Sequence, residues 1–234
     1  MRDQNENAQI WRSLYEKGRN DIRIPNDVFV RVVSRYLNRA SDVRVIDVGM
    51  GTGANLLHLS QKVGTNGVLS HECVGLEISS EAILKAQRRF ETEGSQAEFV
   101  LINANEALPF PTGQFDVVIS WQVLCYNDAN SFENSAKELN RILAPGGLFI
   151  CATAAPGDIS SRKSKLIEVD TFESTVEGQE GAIMFIPPRE RLSKVFEAED
   201  AEIGQFHFKF GGVESRHWIV LYRKGLPLIK WIGL

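Results

Sequence analysis

Cysteine is scarce: the 234 residues hold three, Cys73, Cys125 and Cys151. An odd number cannot pair completely, and each lies in or beside an apolar run where a free thiol acts as a small hydrophobe. A disulfide scaffold is therefore excluded, and a reducing cytoplasm is the expected location. Neither sign of charge dominates. Lys and Arg number 26 against 30 Asp and Glu, a net charge of −4, and they are scattered, which leaves no basic footprint for nucleic acid. No apolar run approaches the roughly 20 residues of a bilayer crossing, so no membrane span is expected. The polar opening MRDQNENAQIW lacks the apolar region of a signal peptide. Four histidines, none clustered with cysteine or carboxylate at ligand spacing, predict no metal site. No internal repeat or low-complexity segment appears. At 43% hydrophobic and 24% charged, the chain suits one α/β domain over residues 1–234.

The pattern opens with two helices. AQIWRSLYEKG places Ile10, Trp11, Leu14 and Tyr15 on one face, and NDVFVRVVSRYL repeats Val28, Phe29, Val32, Val33, Tyr36 and Leu37 at helical spacing. Short Val- and Ile-rich runs then alternate with helical patterns: VRVIDV with ANLLHLSQKV, CVGLEI with SSEAILKAQRRF, and FDVVIS with SFENSAKELNRIL, while AEFVLIN stands between the second and third units. Such runs suit strands covered on both faces. The alternation predicts a doubly wound, mostly parallel sheet with helices on both faces, a Rossmann-like α/β fold. In LAPGGLFICAT the third helix should end at Pro145, with glycine in its C-terminal turn, before a fifth strand. Residues 157–181 read as an irregular polar stretch, PRERLSKVFEAE as a helix, and IGQFHFKF and RHWIVLYRK as a C-terminal antiparallel hairpin over 201–224.

Within VIDVGMGTGAN, three glycines in five residues follow an apolar strand and precede a helix. Gly49, Gly51 and Gly53 would let the main chain turn sharply and admit a ligand against it, with the N–H groups of the helix from Ala54 aimed at the same place. In open parallel sheets this loop, past the carboxyl end of a central strand, is where ligands bind. A tight strand-to-helix connection also uses glycine, so the loop alone is a weak signal. Glu77 strengthens it. It ends the next strand about 25 residues on, where a carboxylate can accept both hydroxyls of a ribose, which points to an adenosine-containing ligand.

These residues resemble the class I S-adenosylmethionine-dependent methyltransferases. VIDVGMGTG is similar to that family's first motif, VGLEIS to its acidic second strand, NANEALPFPTGQFDVVIS to its third and fourth strands, and ELNRILAPGGLFI to its helix-to-fifth-strand turn; the likeness covers residues 43–153, the expected cofactor-binding core. The terminal hairpin is similar to the family's sixth and seventh strands. The resemblance implies S-adenosylmethionine as cofactor, S-adenosylhomocysteine as product, and a small-molecule acceptor methylated by in-line displacement. It implies that Gly49, Gly51 and Gly53 line the methionine and ribose side, and that Asp47 fixes the loop through backbone hydrogen bonds or reaches the ligand through water. Glu77 would bind the ribose and Ile78 would pack on adenine. Asn103, with Ala104 beside it, stands where the family usually has Asp to accept the adenine amino group, and Asn105 competes for that place. Met50, where the family often has Cys, is a packing change. Ser120, Trp121 and Gln122 would approach the methionine part, and Tyr126 would face the substrate. No covalent nucleophile or metal is needed, because transfer depends chiefly on holding the acceptor about 3 to 3.5 Å from the methyl.

Aromatic faces at Trp11, Tyr15, Trp121 and Tyr126 could stabilise the sulfonium. Residues 1–40 then read as a lid, with core packing the plainer role for Trp11 and Tyr15. His58 reads as a packed or surface helix residue and His71 as part of a polar turn. His207 and His217, in the hairpin, could supply a general base but read first as strand packing. Residues 155–190, carrying RKSKL, are expected to set acceptor specificity through sugar- or phosphate-directed contacts, or else to form a solvated loop. The apolar C-terminal KGLPLIKWIGL suits docking on its own domain or on a second copy in a homodimer. Two alternatives share the glycines and the ribose acid: a nicotinamide-dependent oxidoreductase, using Gly49, Gly51 and Ala54, and a cofactor-binding module without transfer. A base-modifying enzyme is disfavoured, since SWQVLCY lacks the Asn/Asp-Pro-Pro-aromatic stretch that grips a flipped base.

Overall fold

Asn26 starts a helix because its side-chain oxygen accepts from Val28 N and Phe29 N, satisfying two of the donors a helix leaves open. The same device recurs at Ser79, which accepts from Ala82 N, and at Asp128, which accepts from Ser131 N. The computed structural model describes residues 4–37, 43–61, 63–64, 67–68, 72–103, 106–196 and 201–228. In chain order its elements are α1 (Gln4–Glu16), α2 (Asp27–Tyr36), β1 (Arg44–Val48), α3 (Ala54–Ser60), β2 (Val63–Gly64), β3 (Gly67–Val68), β4 (Glu72–Glu77), α4 (Ser80–Thr92) and β5 (Glu98–Leu101). There follow β6 (Phe115–Trp121), α5 (Ala129–Ile142), β7 (Leu143–Ala154), α6 (Ile159–Arg162), β8 (Ser164–Glu168), β9 (Thr171–Ser174), β10 (Ile183–Phe185), α7 (Arg189–Val195), β11 (Glu202–Phe210) and β12 (Val213–Arg223).

The main sheet has seven strands in the order β11-β12-β7-β6-β1-β4-β5. Strands β5, β4, β1, β6 and β7 run parallel, and β12 and β11 close one edge antiparallel. This is the doubly wound sheet that the alternation predicts. Successive residues of the central strands serve opposite faces: Val45, Val117 and Ile119 join Phe29, Leu56 and Phe90 in one core, while Ile46 and Val118 join Phe132, Leu139 and Phe149 in the other. The terminal hairpin turns at Gly211 and Gly212, both at positive φ, between the paired residues Phe210 and Val213, as a two-residue loop requires.

Two expectations need correction. Helix α5 ends at Ile142, and Pro145 to Gly147 lie inside β7 as an irregularity: Phe115 pairs with Leu143, but Val117 pairs with Leu148. The bulged backbone is held by Gly146 N donating to Lys224 O at 2.7 Å. Residues 157–181 are not irregular, since they carry α6, β8 and β9, and β10 completes a three-stranded sheet in the order β10-β9-β8. Their strands escape pattern reading because they are short and leave Leu166 and Ile167 exposed. Of PRERLSKVFEAE, the described residues form a helix over Arg189–Val195 that ends at Phe196, and residues 197–199 lie outside the described residues. Cys73, Cys125 and Cys151 are free and buried, as their apolar settings suggest. Among the described residues no helix is long and apolar enough to cross a membrane, and no His, Cys and carboxylate cluster could hold a metal ion. His71 and the segment 229–234 lie outside the described residues.

Candidate functional site

Strand β1 is followed in the chain by α3 and β4 on one side, whereas its other neighbour, β6, arrives later, so the sheet reverses its winding between β1 and β6. The loops beyond their carboxyl ends diverge there. A cavity of about 760 Å³ opens at this point, within the size range of small-molecule sites.

The glycine loop forms its floor. Gly49 N and Met50 N both donate to Leu76 O, at 2.8 and 3.1 Å, which ties the loop to the tip of β4. Gly51 has φ +58, and a Cβ there would lie 2.8 Å from the Tyr15 hydroxyl; a Cβ at Gly49 would overlap Val123. These two glycines are therefore required by close approach as well as by conformation. Gly53 is different. It precedes α3, does not line the cavity, and would press a Cβ against Ala86 and Phe90 of α4 at 3.2 and 3.3 Å, which ties it to helix packing. Met50 packs on Gly75, as a packing residue should.

Glu77, only 6% exposed, binds the loop it faces. Its Oε2 accepts from Gly51 N at 2.9 Å, and its Oε1 accepts from Ile78 N and Ser79 N at 2.8 and 3.1 Å. Three of the carboxylate's roughly four acceptor positions are thus taken, leaving one on Oε2 for a ligand hydroxyl. Burial raises its pKa, against the pull of these donors and of Arg12. Asp47 is 1% exposed and hydrogen-bonds nothing in the loop; its Oδ1 has no partner among the described residues. The loop is fixed by Glu77 and Leu76 instead of by Asp47. Burial, and then the charge of Glu77, push Asp47 up to about 7. Among the described residues the lining carries Asp47, Glu77, Glu106 and Glu138 but no Lys, Arg or His, so the cavity favours a cation.

Tyr15, Ile78, Asn103, Trp121, Gln122 and Tyr126 all line it. Ser120 does not: it is fully buried in the sheet, pairs with Cys151, and its Oγ has no partner among the described residues. Period two explains this, since Ser120 points to the face opposite Trp121. Asn103 Nδ2 donates to Glu106 Oε1 at 2.9 Å, and its Oδ1 receives a long contact of 3.4 Å from Arg12 Nη2. Ala104 and Asn105 lie outside the described residues.

Helix α1 covers one side. Asn7, Trp11 and Tyr15 line the cavity, and Trp11 meets Tyr126 edge to face at 4.4 Å. Asn7 Nδ2 donates to Tyr126 O and Ile183 O, both at 2.9 Å, and its Oδ1 accepts from Ile183 N at 2.7 Å. Arg12 Nε donates to Ile78 O at 2.9 Å, and Lys85 Nζ to Tyr15 O at 2.8 Å. Asn7 and Arg12 carried no sequence signal, because their partners lie far away in the chain. Another wall was legible in principle: Ser131, Asn134, Ser135 and Glu138 line the cavity from α5 at the i, i+3, i+4, i+7 spacing of one helical face. Of residues 155–190, only Gln179 lines it. None of RKSKL lines the cavity, and Arg162 is paired to Glu214 at 2.7 Å. His207 pairs with the same Glu214 at 3.0 Å.

The seven-stranded order with an antiparallel terminal hairpin, and a glycine loop answered by a buried acid on the neighbouring strand, define a Rossmann-like fold. Residues 45–147 match the family model described as "Methyltransferase domain". The demethylmenaquinone methyltransferase of Thermus thermophilus is 31% identical over 126 residues, 54% of this chain and 53% of the relative; the chain spans about half the length of the curated relatives it matches. Among solved structures, the Burkholderia thailandensis 1,6-didemethyltoxoflavin-N1-methyltransferase, bound to 1,6-didemethyltoxoflavin and S-adenosylhomocysteine, is similar with TM-score 0.66 at 15% identity, over 96% of this chain and 91% of the other. A SAM-dependent methyltransferase of Methanosarcina mazei is similar with TM-score 0.64 at 20% identity, over 86% and 98%. Residues 45–147 are thus the part of the chain that is similar to S-adenosylmethionine-dependent methyltransferases, in sequence and in fold.

Proposed function

We propose that this protein binds S-adenosylmethionine in the 760 Å³ cavity and transfers its methyl to a small-molecule acceptor by in-line displacement. The observation that carries the reading is the glycine loop joined to a buried Glu77, in a cavity lined by carboxylates without a cation. The residues fit this cofactor. Glu77 Oε2 keeps one acceptor position for a ribose hydroxyl, Ile78 offers an apolar face for adenine, and the Asn103 amide oxygen retains a lone pair for its amino group. The Asp47 carboxylate, whose Oδ1 has no partner among the described residues, suits a positive ligand that would supply one. When bound, the cofactor supplies a methyl group on a sulfonium cation. Trp11, Trp121 and Tyr126 then exclude water and offer aromatic faces to the charge, each worth about 0.5 to 2 kcal/mol if stacked. Tyr126 and the polar face of α5 would hold the acceptor, and their amides and hydroxyls beside carboxylates favour a neutral or cationic molecule over an anion. Helix α1, fastened by Asn7 and Arg12, would act as the lid.

The test is thermal unfolding with S-adenosylmethionine, S-adenosylhomocysteine and NAD added separately. The first two should raise the midpoint and NAD should not; no shift with either of the first two refutes the proposal. Release of S-adenosylhomocysteine with an acceptor from a metabolite mixture separates an enzyme from a module that only binds.

A further inference from the structure

Gln122, just past β6, lines the cavity with φ +59, a backbone conformation that side chains other than glycine rarely adopt. Its surroundings enforce it. Gln122 N donates to Ala152 O at 2.8 Å, and its side-chain nitrogen lies 3.0 Å from His217 Nε2. An amide nitrogen can only donate, so Nε2 accepts and the ring proton sits on Nδ1, which donates to Ser215 Oγ at 3.1 Å. Burial lowers the His217 pKa, against the pull of Asp158, which keeps the ring neutral and able to accept. Register carries the contact across three strands: Trp121 pairs with Ala152 of β7, and Ala154 of β7 pairs with His217 of β12.

With the amide nitrogen held by His217, the amide oxygen is left for the cavity. We propose that His217 is a positioning residue that locks Gln122 with its oxygen toward the bound ligand, where it accepts a hydrogen bond from the α-ammonium of the cofactor. This rests on the cofactor reading above. The ammonium is the fitting donor because the described lining of the same cavity carries Asp47 and Glu77 and no basic side chain, so the oxygen adds to a site that favours a cation. Without His217 the amide is free to invert and would turn its N–H groups to that cation.

The test is calorimetry with S-adenosylhomocysteine and with 5′-methylthioadenosine, which has the nucleoside and thioether but no ammonium, on the wild-type protein, His217→Leu, His217→Gln, Gln122→Ala and the Leu/Ala double variant. His217→Leu and Gln122→Ala should each weaken S-adenosylhomocysteine by about tenfold, as loss of a hydrogen bond to a charged group does. The double variant should be no weaker than Gln122→Ala, because the two residues act as one unit. His217→Gln, whose amide oxygen replaces Nε2 as acceptor, should restore affinity to within about threefold, and 5′-methylthioadenosine should be bound equally by all. Should His217→Leu not fold, Ser215→Ala should weaken S-adenosylhomocysteine by roughly two- to threefold, an effect that disappears in the Gln122→Ala background. Wild-type affinity in folded His217→Leu, multiplying losses, an equal loss for 5′-methylthioadenosine, or no restoration by folded His217→Gln would each overturn the assignment. Wild-type protein that binds neither ligand instead overturns the cofactor reading on which it stands.

Discussion

Replacing Asp47 by Asn should make the protein more stable at pH 8 while weakening cofactor binding. The Asp47 carboxyl is 1% exposed, has an unpartnered oxygen and faces the charge of Glu77; burial first, and that charge second, raise its pKa to about 7. In the unfolded chain it would titrate near 3.9. The folded state thus holds the proton more tightly, so its stability from this group is fully present below about pH 4, declines as pH rises, and is lost above about 7. Three pH units at about 1.4 kcal/mol each give roughly 4 kcal/mol of strain at pH 8. Asn removes that charge but leaves a buried amide lacking partners, a cost of about 1 to 3 kcal/mol. The net gain at pH 8 is then about 1 to 3 kcal/mol, and it should vanish or reverse at pH 4.5. Urea unfolding of both proteins from pH 4.5 to 8.5 measures the difference, in which titrations common to both cancel. A variant less stable than wild type at pH 8, or a difference that does not change with pH, would show that Asp47 is not held as a buried, unpaired acid.

Three further outcomes follow from the loop and the lid. Gly51→Ala should lose about 2 to 4 kcal/mol, from its positive φ and from the 2.8 Å approach to Tyr15. Adding Tyr15→Phe should recover the steric part and not the conformational part, so additive losses in urea unfolding would refute the contact. Asn7→Ala leaves the Ile183 main chain and Tyr126 O without their partner; limited proteolysis should then cut residues 17–25 faster and S-adenosylhomocysteine should dissociate faster, and an unchanged dissociation rate would reject α1 as a lid.

The legible part of the site is the part made by main chain and local spacing. Gly49, Gly51 and Glu77 could be read because a strand, a tight turn and a second strand bring them together in any doubly wound sheet, and the apolar runs of β1 and β6, buried on both faces, mark where those strands end. Ser120 is buried and lies outside the cavity lining, on the face of β6 opposite Trp121. Gly53 looked like a third ligand glycine, but its neighbours Ala86 and Phe90 lie on a helix more than 30 positions away. The same limit hid Asn7 and Arg12 on α1, and the pairing of Gln122 with His217, since each contact is made by topology and leaves no local pattern. The small sheet β8 to β10 was hidden for another reason: its strands are short, and their apolar residues are not all inside.

The central claim is that Glu77 grips a nucleoside sugar beside the glycine loop, and calorimetry of S-adenosylhomocysteine on wild-type protein and Glu77→Ala tests it most directly. The wild type should bind, and the variant, folded by circular dichroism, should bind at least about tenfold more weakly, since a charged hydrogen bond to the ligand and the tie to Gly51 N are both lost. Equal affinity in the two proteins, or no heat from the wild type, would contradict the account.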